Sequence, residues 1–487
     1  MNFGTANFAV LGLYFAAMLA IGCVTGRRIK GTRSFFIADG RLNHVLVGIS
    51  ILGTYLSALT MMGLPGMSFG GHDWTFMVQL PFLIITAAVI TRWILPRYRE
   101  AGVTSIYAFM EKRLGVTARV IGAISFIIFA IGRMGLVLYL PALAFSTVTG
   151  ASLPSCIIIM GIIITLYTVV GGIEAVIWTD AIQVVIFVTA AIFTLVYIMA
   201  DVGMSRFIAV GLEHGKFRLL IPGADIMKIT SLWLILETIF QTIRIYGTQQ
   251  DIAQRYMTTG STEKANRSVW ISVLAYIPLG FLFYLIGTAL FVFFKCHPET
   301  ALPGKSDSVY PFFVVNHLPT GVAGLVIAAI FAAAMSSIDS CMNSASTVCV
   351  EDFMKRFSRK KRMDEDYLGQ ARALTLLWGI LSIILGILFI NTKYVLIVWG
   401  KLMGISTNGI LGLMAVAFLG INVRWWAVVG GVVLSYACLF SMMYSGITYL
   451  LWPVAGNIVC FVAVLLLNGL AGSREVTSPP RSSSQFR

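Results

Sequence analysis

Thirteen apolar runs recur along the 487 residues, near 6–25, 44–68, 74–96, 118–148, 152–171, 176–200, 230–247, 268–295, 317–350, 370–391, 394–421, 425–446 and 448–471. A hydrocarbon core about 30 Å thick takes roughly 20 helical residues, so the pattern predicts an all-α polytopic membrane protein with about 13 transmembrane helices. Long polar connections occur only at 201–229 and 351–369. Composition agrees: 58% of residues are hydrophobic and 11% charged, where a soluble domain is about a quarter charged.

The charges are sided. Of the 35 Lys and Arg residues, 24 fall in alternate connections, including Arg27 to Arg41, Arg97 to Arg119, Arg255 to Arg267 and Lys355 to Arg372. The opposite connections hold seven, and Arg92, Arg133, Arg244 and Lys401 lie within runs. Basic loops stay cytoplasmic, which puts the N-terminus outside and the C-terminus inside. The net charge of +14 thus reflects topology, and no nucleic-acid partner is expected. The lipid bilayer is.

Polar residues enter the membrane at a few places. The ninth run carries Phe331-Ala-Ala-Ala-Met-Ser336-Ser337-Ile-Asp339-Ser340. Ala333, Ser336, Ser337 and Ser340 share one helical face, and hydroxyls beside a buried carboxylate are hard oxygen ligands suited to sodium. Small residues that let helices pack closely are the plainer reading, but they leave Asp339 unexplained. The second run, from Gly48 through Gly53, Ser57, Thr60 and Pro65 to Gly66, is a poor continuous helix. An unwound span offers carbonyls to a cation and amides to an anion.

Arg133 lies halfway along the fourth run, where an unpaired guanidinium is costly. Its carboxylate partner is either internal, with Glu237 and Asp339 as candidates, or arrives with a solute, which a planar fork captures at two points. Asp180 and Gln183 share a face of the sixth run, and Glu237, Gln241 and Arg244 make a polar stripe on the seventh. The seventh ends in Gln249-Gln-Asp251-Ile-Ala-Gln-Arg255-Tyr256, expected at the cytoplasmic mouth. No P-loop, HExxH, GxSxG or histidine cluster is present, so an enzyme is not expected. The seven cysteines form no CxxC pair, which indicates neither a disulfide framework nor a zinc site.

Three stretches together resemble the sodium:solute symporter family: Tyr167-Thr-Val-Val-Gly-Gly-Ile-Glu-Ala-Val-Ile-Trp-Thr-Asp180, Gln249-Gln-Asp-Ile-Ala-Gln-Arg-Tyr256 and Ala332-Ala-Ala-Met-Ser-Ser-Ile-Asp-Ser340. The resemblance implies a LeuT-like core of two inverted five-helix repeats, about 44–200 and 230–421, plus one N-terminal and two C-terminal helices. Residues 1–472 then form a single transporter domain, followed by a disordered cytoplasmic tail, 473–487. The same resemblance implies a main sodium site at Gly53, Leu56, Ala333, Ser336 and Ser337. It implies a second at Asp180, Asp339 and Ser340, with Ser336 adjoining. Asp339 stands where the bacterial sialic acid symporters, closest in these motifs, have serine.

In those relatives an arginine matching Arg133 meets the substrate carboxylate. Ser57 and Thr60 match hydroxyls of the unwound helix, and Phe76 lies in the matching aromatic stretch. The glutamine expected after that stretch aligns with Leu80, with Gln79 one residue away. The expected function is alternating-access import, coupled to Na+, of an anionic solute, most simply sialic acid, across a bacterial inner membrane. A neutral-sugar or monocarboxylate symporter is the nearer alternative. A sodium-responsive sensor module is the alternative of another class, and the sequence has no appended cytoplasmic domain to serve it.

Overall fold

The computed structural model describes residues 4–71, 73–298, 302, 306–359, 363–391 and 402–470. Among them every named element is a helix, with one isolated bridge between Leu42 and Thr259. Ten helices are long and apolar enough to span a membrane, or 11 when the bent pair His44–Tyr55 and Thr60–Gly70 counts as one. Leu153–Val202 has to count twice, because its 50 residues extend about 75 Å at ~1.5 Å per residue. It breaks at Gly172, which separates the fifth and sixth spans. Ser231–Thr248, polar through Glu237, Gln241 and Arg244, supplies the remaining segment of the expected thirteen. Of the eleventh span the described part is Leu402–Leu419. Lys401 and the tail 473–487 lie outside the described residues.

Burial orders the spans. The first helix, Thr5–Gly26, buries a single stripe of Asn7, Leu11, Tyr14, Met18, Gly22 and Thr25. Its other faces are apolar as well and are left to lipid, as in a peripheral membrane span. The ninth, Val322–Val348, is buried at every position from Val326 onward. It packs on Leu153–Val202, Val116–Thr149 and Thr5–Gly26, so the serine-rich face lies at the centre of the bundle, where only protein or an ion satisfies it.

The break at Gly172 depends on the absence of a side chain. Its φ is 54° and ψ −155°, a region essentially confined to glycine, and a Cβ there would lie 2.8 Å from both the ring Cδ2 and the carbonyl oxygen of Phe35. Gly172→Ala is expected to destabilise the protein by ~2 kcal/mol or more, read as a lower melting temperature in detergent. Gly12→Ala, where nothing lies within 4 Å, is expected to leave it unchanged.

Candidate functional site

The second span is broken where its sequence is poorest for a helix. His44–Tyr55 starts on Asn43, whose side chain accepts from Val45 N, and stops at Leu56 with φ −72° and ψ 137°. Ser57 is also extended, at φ −139° and ψ 171°, and Ala58–Gly70 resumes beyond it. The two halves bend by 54°. Pro65 lies inside the second half, so the proline does not make the break. Ser57 O accepts from Thr60 N at 2.9 Å and Met61 N at 3.1 Å, while Ser57 N donates to Thr60 Oγ1 at 3.4 Å. A second break falls in the seventh span, where Gln249 is extended between Ser231–Thr248 and Gln250–Met257.

The ninth span faces the first of these breaks. Ser336 Oγ lies 3.0 Å from the Gly53 carbonyl oxygen and 3.2 Å from that of Ala333. Three of the five expected main-site residues therefore meet directly. Leu56 is buried and is the first extended residue of the break. Ser337 Oγ accepts from Arg133 Nη2 at 3.3 Å. Among the described residues no three His, Cys, Asp or Glu side chains gather as a metal set. The oxygens brought together here are carbonyls and hydroxyls, which suit a hard monovalent ion better than a transition metal.

Arg133 meets an internal carboxylate, and it is neither candidate expected from sequence. Its Nη1 donates to Asp251 Oδ2 at 2.9 Å, and its Nη2 donates to Thr54 O at 2.9 Å. The side chain is 9% exposed and that of Asp251 is wholly buried. Asp251 Oδ1 and Arg133 Nε are buried without a hydrogen-bond partner. The guanidinium thus ties the fourth span to the second, the ninth and the half-helix after Gln249, with one nitrogen left for another acceptor.

Asp180, Asp339 and Ser340 also converge, around a residue the sequence placed at the cytoplasmic mouth. Arg255 is wholly buried. It donates through Nη2 to Asp180 Oδ2 at 2.8 Å and to Ser340 Oγ, and through Nε to Ser50 Oγ at 2.9 Å. Ser50 Oγ in turn donates to Asp180 Oδ2 at 2.5 Å. Asp339 accepts from the Tyr167 hydroxyl at 2.6 Å and from Ser340 Oγ at 3.2 Å. The guanidinium therefore pairs with Asp180 directly and reaches Asp339 only through the Ser340 hydroxyl, and Asp180 Oδ1 is buried without a partner.

Gln183 does not join this cluster. Its Nε2 donates to the Tyr14 hydroxyl at 3.0 Å on the first helix.

Of the expected solute residues, Ser57 and Thr60 lie on the break. Gln79 accepts from Thr238 Oγ1 at 2.6 Å, which turns it toward the seventh span, whereas Leu80 packs at Gly280 of the eighth. Phe76 is buried nearby. Trp74 points elsewhere, its indole N–H donating to Thr288 Oγ1 at 2.9 Å. Sequence reasoning missed Ser50, Thr54, Tyr167, Asp251 and Arg255 as members of the site. Tyr167, Asp251 and Arg255 stand in motifs it did notice, but for the last two a charged run after an apolar one reads as a loop.

The model of the sodium:solute symporter family matches residues 35–434. The sodium/sialic acid symporter NanT of Aliivibrio fischeri is 32% identical over 87% of this chain and 84% of its own. The corresponding SiaT of Proteus mirabilis is 30% identical over 89% and 88%. A solved structure of a Na+-coupled sialic acid symporter, substrate-bound and outward-open, superimposes with a TM-score of 0.88 at 28% identity, covering 96% of this chain and 98% of that one. With its broken second span, its buried hydroxyl-rich ninth span and this match over most of its length, the chain belongs to the sodium:solute symporter family.

Proposed function

We propose that the protein imports N-acetylneuraminate or a closely similar sugar acid together with sodium, by alternating access. The observation that carries the reading is the pairing of a carbonyl–hydroxyl ion site, at Gly53, Ala333 and Ser336, with a buried guanidinium bonded to the adjacent Thr54 and Ser337. Leu56 and Ser337 complete the ion's ligands in this reading. Arg133, Ser57, Thr60, Phe76 and Gln79 hold the solute.

The Asp251 pair is compatible with capture. A substrate carboxylate takes over the fork of Arg133, and the half-helix Gln250–Met257 that carries Asp251 is then released from the fourth span. Binding energy is thereby converted into movement of one bundle against the other. A second sodium at Asp180, Asp339 and Ser340 belongs to this reading, supported by Asp180 Oδ1, which is buried there without a partner. A monovalent anion moving with two sodium ions carries one net charge, driven by about 2.3 kcal/mol per 100 mV. The membrane is a bacterial inner membrane in this account, with the N-terminus outside and the C-terminus inside.

The second reading is a neutral sugar. It is favoured by the same Arg133–Asp251 pair, which leaves a neutral cavity if it never opens. Binding followed by tryptophan fluorescence in sodium or choline, with N-acetylneuraminate and its neutral counterpart N-acetylmannosamine, separates the two. Sodium-dependent preference for the acid supports capture, and preference for the neutral sugar overturns it. Ser336→Ala removes one ligand from the main site and is expected to raise the sodium concentration for half-saturation about tenfold or more, an ion–oxygen contact being worth ~1.5–3 kcal/mol by analogy with charged hydrogen bonds. An unchanged sodium dependence would remove Ser336 from the site.

A further inference from the structure

We infer that a niche between the second and sixth spans is a binding site for an anionic phospholipid. It has a volume of about 500 Å³ and lies on the end of the bundle where basic connections collect. Its polar rim is made by Arg28 and Arg41, which hold Glu174 at 2.9 Å and 2.5 Å. Glu174 is 3% exposed, whereas the two arginines are 58% and 44% exposed. One carboxylate therefore neutralises only one of the two guanidinium groups. Among the described residues each bonds through a single nitrogen, and both side chains line the niche with donors to spare. That is a planar, two-point arrangement suited to a phosphodiester.

Beneath this rim the wall is apolar. Val45, Leu46 and Ile49 come from His44–Tyr55, and Trp178 comes from the sixth span. Val45 and Trp178 are 45% and 44% exposed in segments that cross the membrane, so acyl chains are what they meet. Paired basic groups at headgroup level, an interfacial tryptophan and an apolar groove running inward are the elements of a lipid site. The surplus positive charge selects an anionic headgroup. Leu46 and Ile49 stand on the half-helix that ends at Gly53 and Leu56, so a lipid seated here braces the element that carries the sodium-site carbonyls.

The test is native mass spectrometry of the purified full chain, presented with equal phosphatidylglycerol and phosphatidylcholine of matched acyl chains. Retention of phosphatidylglycerol is expected to exceed that of phosphatidylcholine at least fivefold, and Arg28→Gln with Arg41→Gln is expected to abolish the difference. Because that pair of changes leaves Glu174 unpaired, Val45→Trp serves as a second variant. It fills the groove, keeps both ion pairs and is expected to lower retention to a similar degree. Inorganic phosphate and glycerol phosphate are added as competitors, and neither is expected to displace the lipid. Equal retention of the two lipids, undiminished retention in Val45→Trp, or displacement by phosphate alone overturns the proposal. None of these outcomes bears on the solute that is carried.

Discussion

Arg133→Gln is expected to weaken N-acetylneuraminate binding about 100-fold in a protein that still folds, because truncating one member of a buried charge-assisted pair costs ~2–5 kcal/mol. Arg133→Lys keeps the charge and loses the fork, so an intermediate loss of about tenfold is expected. The change also strands Asp251, whose Oδ2 has Arg133 as its partner. Melting temperature must therefore be measured beside affinity, and Asp251→Asn is the informative companion. If Arg133 captures the solute, Asp251→Asn releases the guanidinium from its internal partner and tightens binding of the acid. If the pair is only structural, Asp251→Asn weakens binding of every ligand along with stability. Binding of N-acetylneuraminate by folded Arg133→Gln with wild-type affinity would end the capture account.

The largest stability effect is expected at Arg255→Met. Arg255 bonds to Ser50 of the second span, Asp180 of the sixth and Ser340 of the ninth, and also to the carbonyl of Asp251 at 2.6 Å. Removing it leaves Asp180 charged in the interior without its ion partner. Breaking a wholly buried pair costs ~3–5 kcal/mol, whereas replacing both partners is often far less harmful. Arg255→Met is thus expected to lower the melting temperature sharply or prevent accumulation of folded protein. Adding Asp180→Asn is expected to recover a large part of the loss. A single variant as stable as the wild type would show that the cluster does not hold the spans together.

The helices and their order were legible in the sequence because bilayer length and apolar content are properties of each segment alone. The break at Leu56 and Ser57 was legible too, through the density of Gly, Ser and Thr, although Pro65 drew attention away from its place. Partners were far less legible. Arg119, Lys216 and Arg255 read as loop charges, yet each is buried. Arg119 is held by Asp352 at 2.7 Å and Glu111 at 2.6 Å, and Lys216 by the carbonyls of Ser68 and Phe69 and by Asp73.

Hydropathy scores a charge as solvated, because it contains no information about a carboxylate that lies 233 residues away in sequence. The same limit explains Arg133. Glu237 and Asp339 were reasonable partners by depth, but the extended Gln249 redirects the chain and brings Asp251 into the bundle. A backbone break of one residue decided which acid it meets. Gln79 shows the limit at smaller scale. The segment Thr75–Phe82 is a 3-10 helix, so successive side chains step by about 120°, and Gln79 and Leu80 address different spans.

The most direct test of the account is uptake of radiolabelled N-acetylneuraminate into proteoliposomes, with an inward sodium gradient or choline and with the membrane potential either clamped at zero or inside-negative. Two sodium ions per monovalent acid predict uptake that requires sodium and is stimulated by the negative interior. Uptake that requires sodium but ignores the potential would contradict the second ion at Asp180 and Asp339. No uptake by folded, correctly oriented protein would contradict the sugar acid itself.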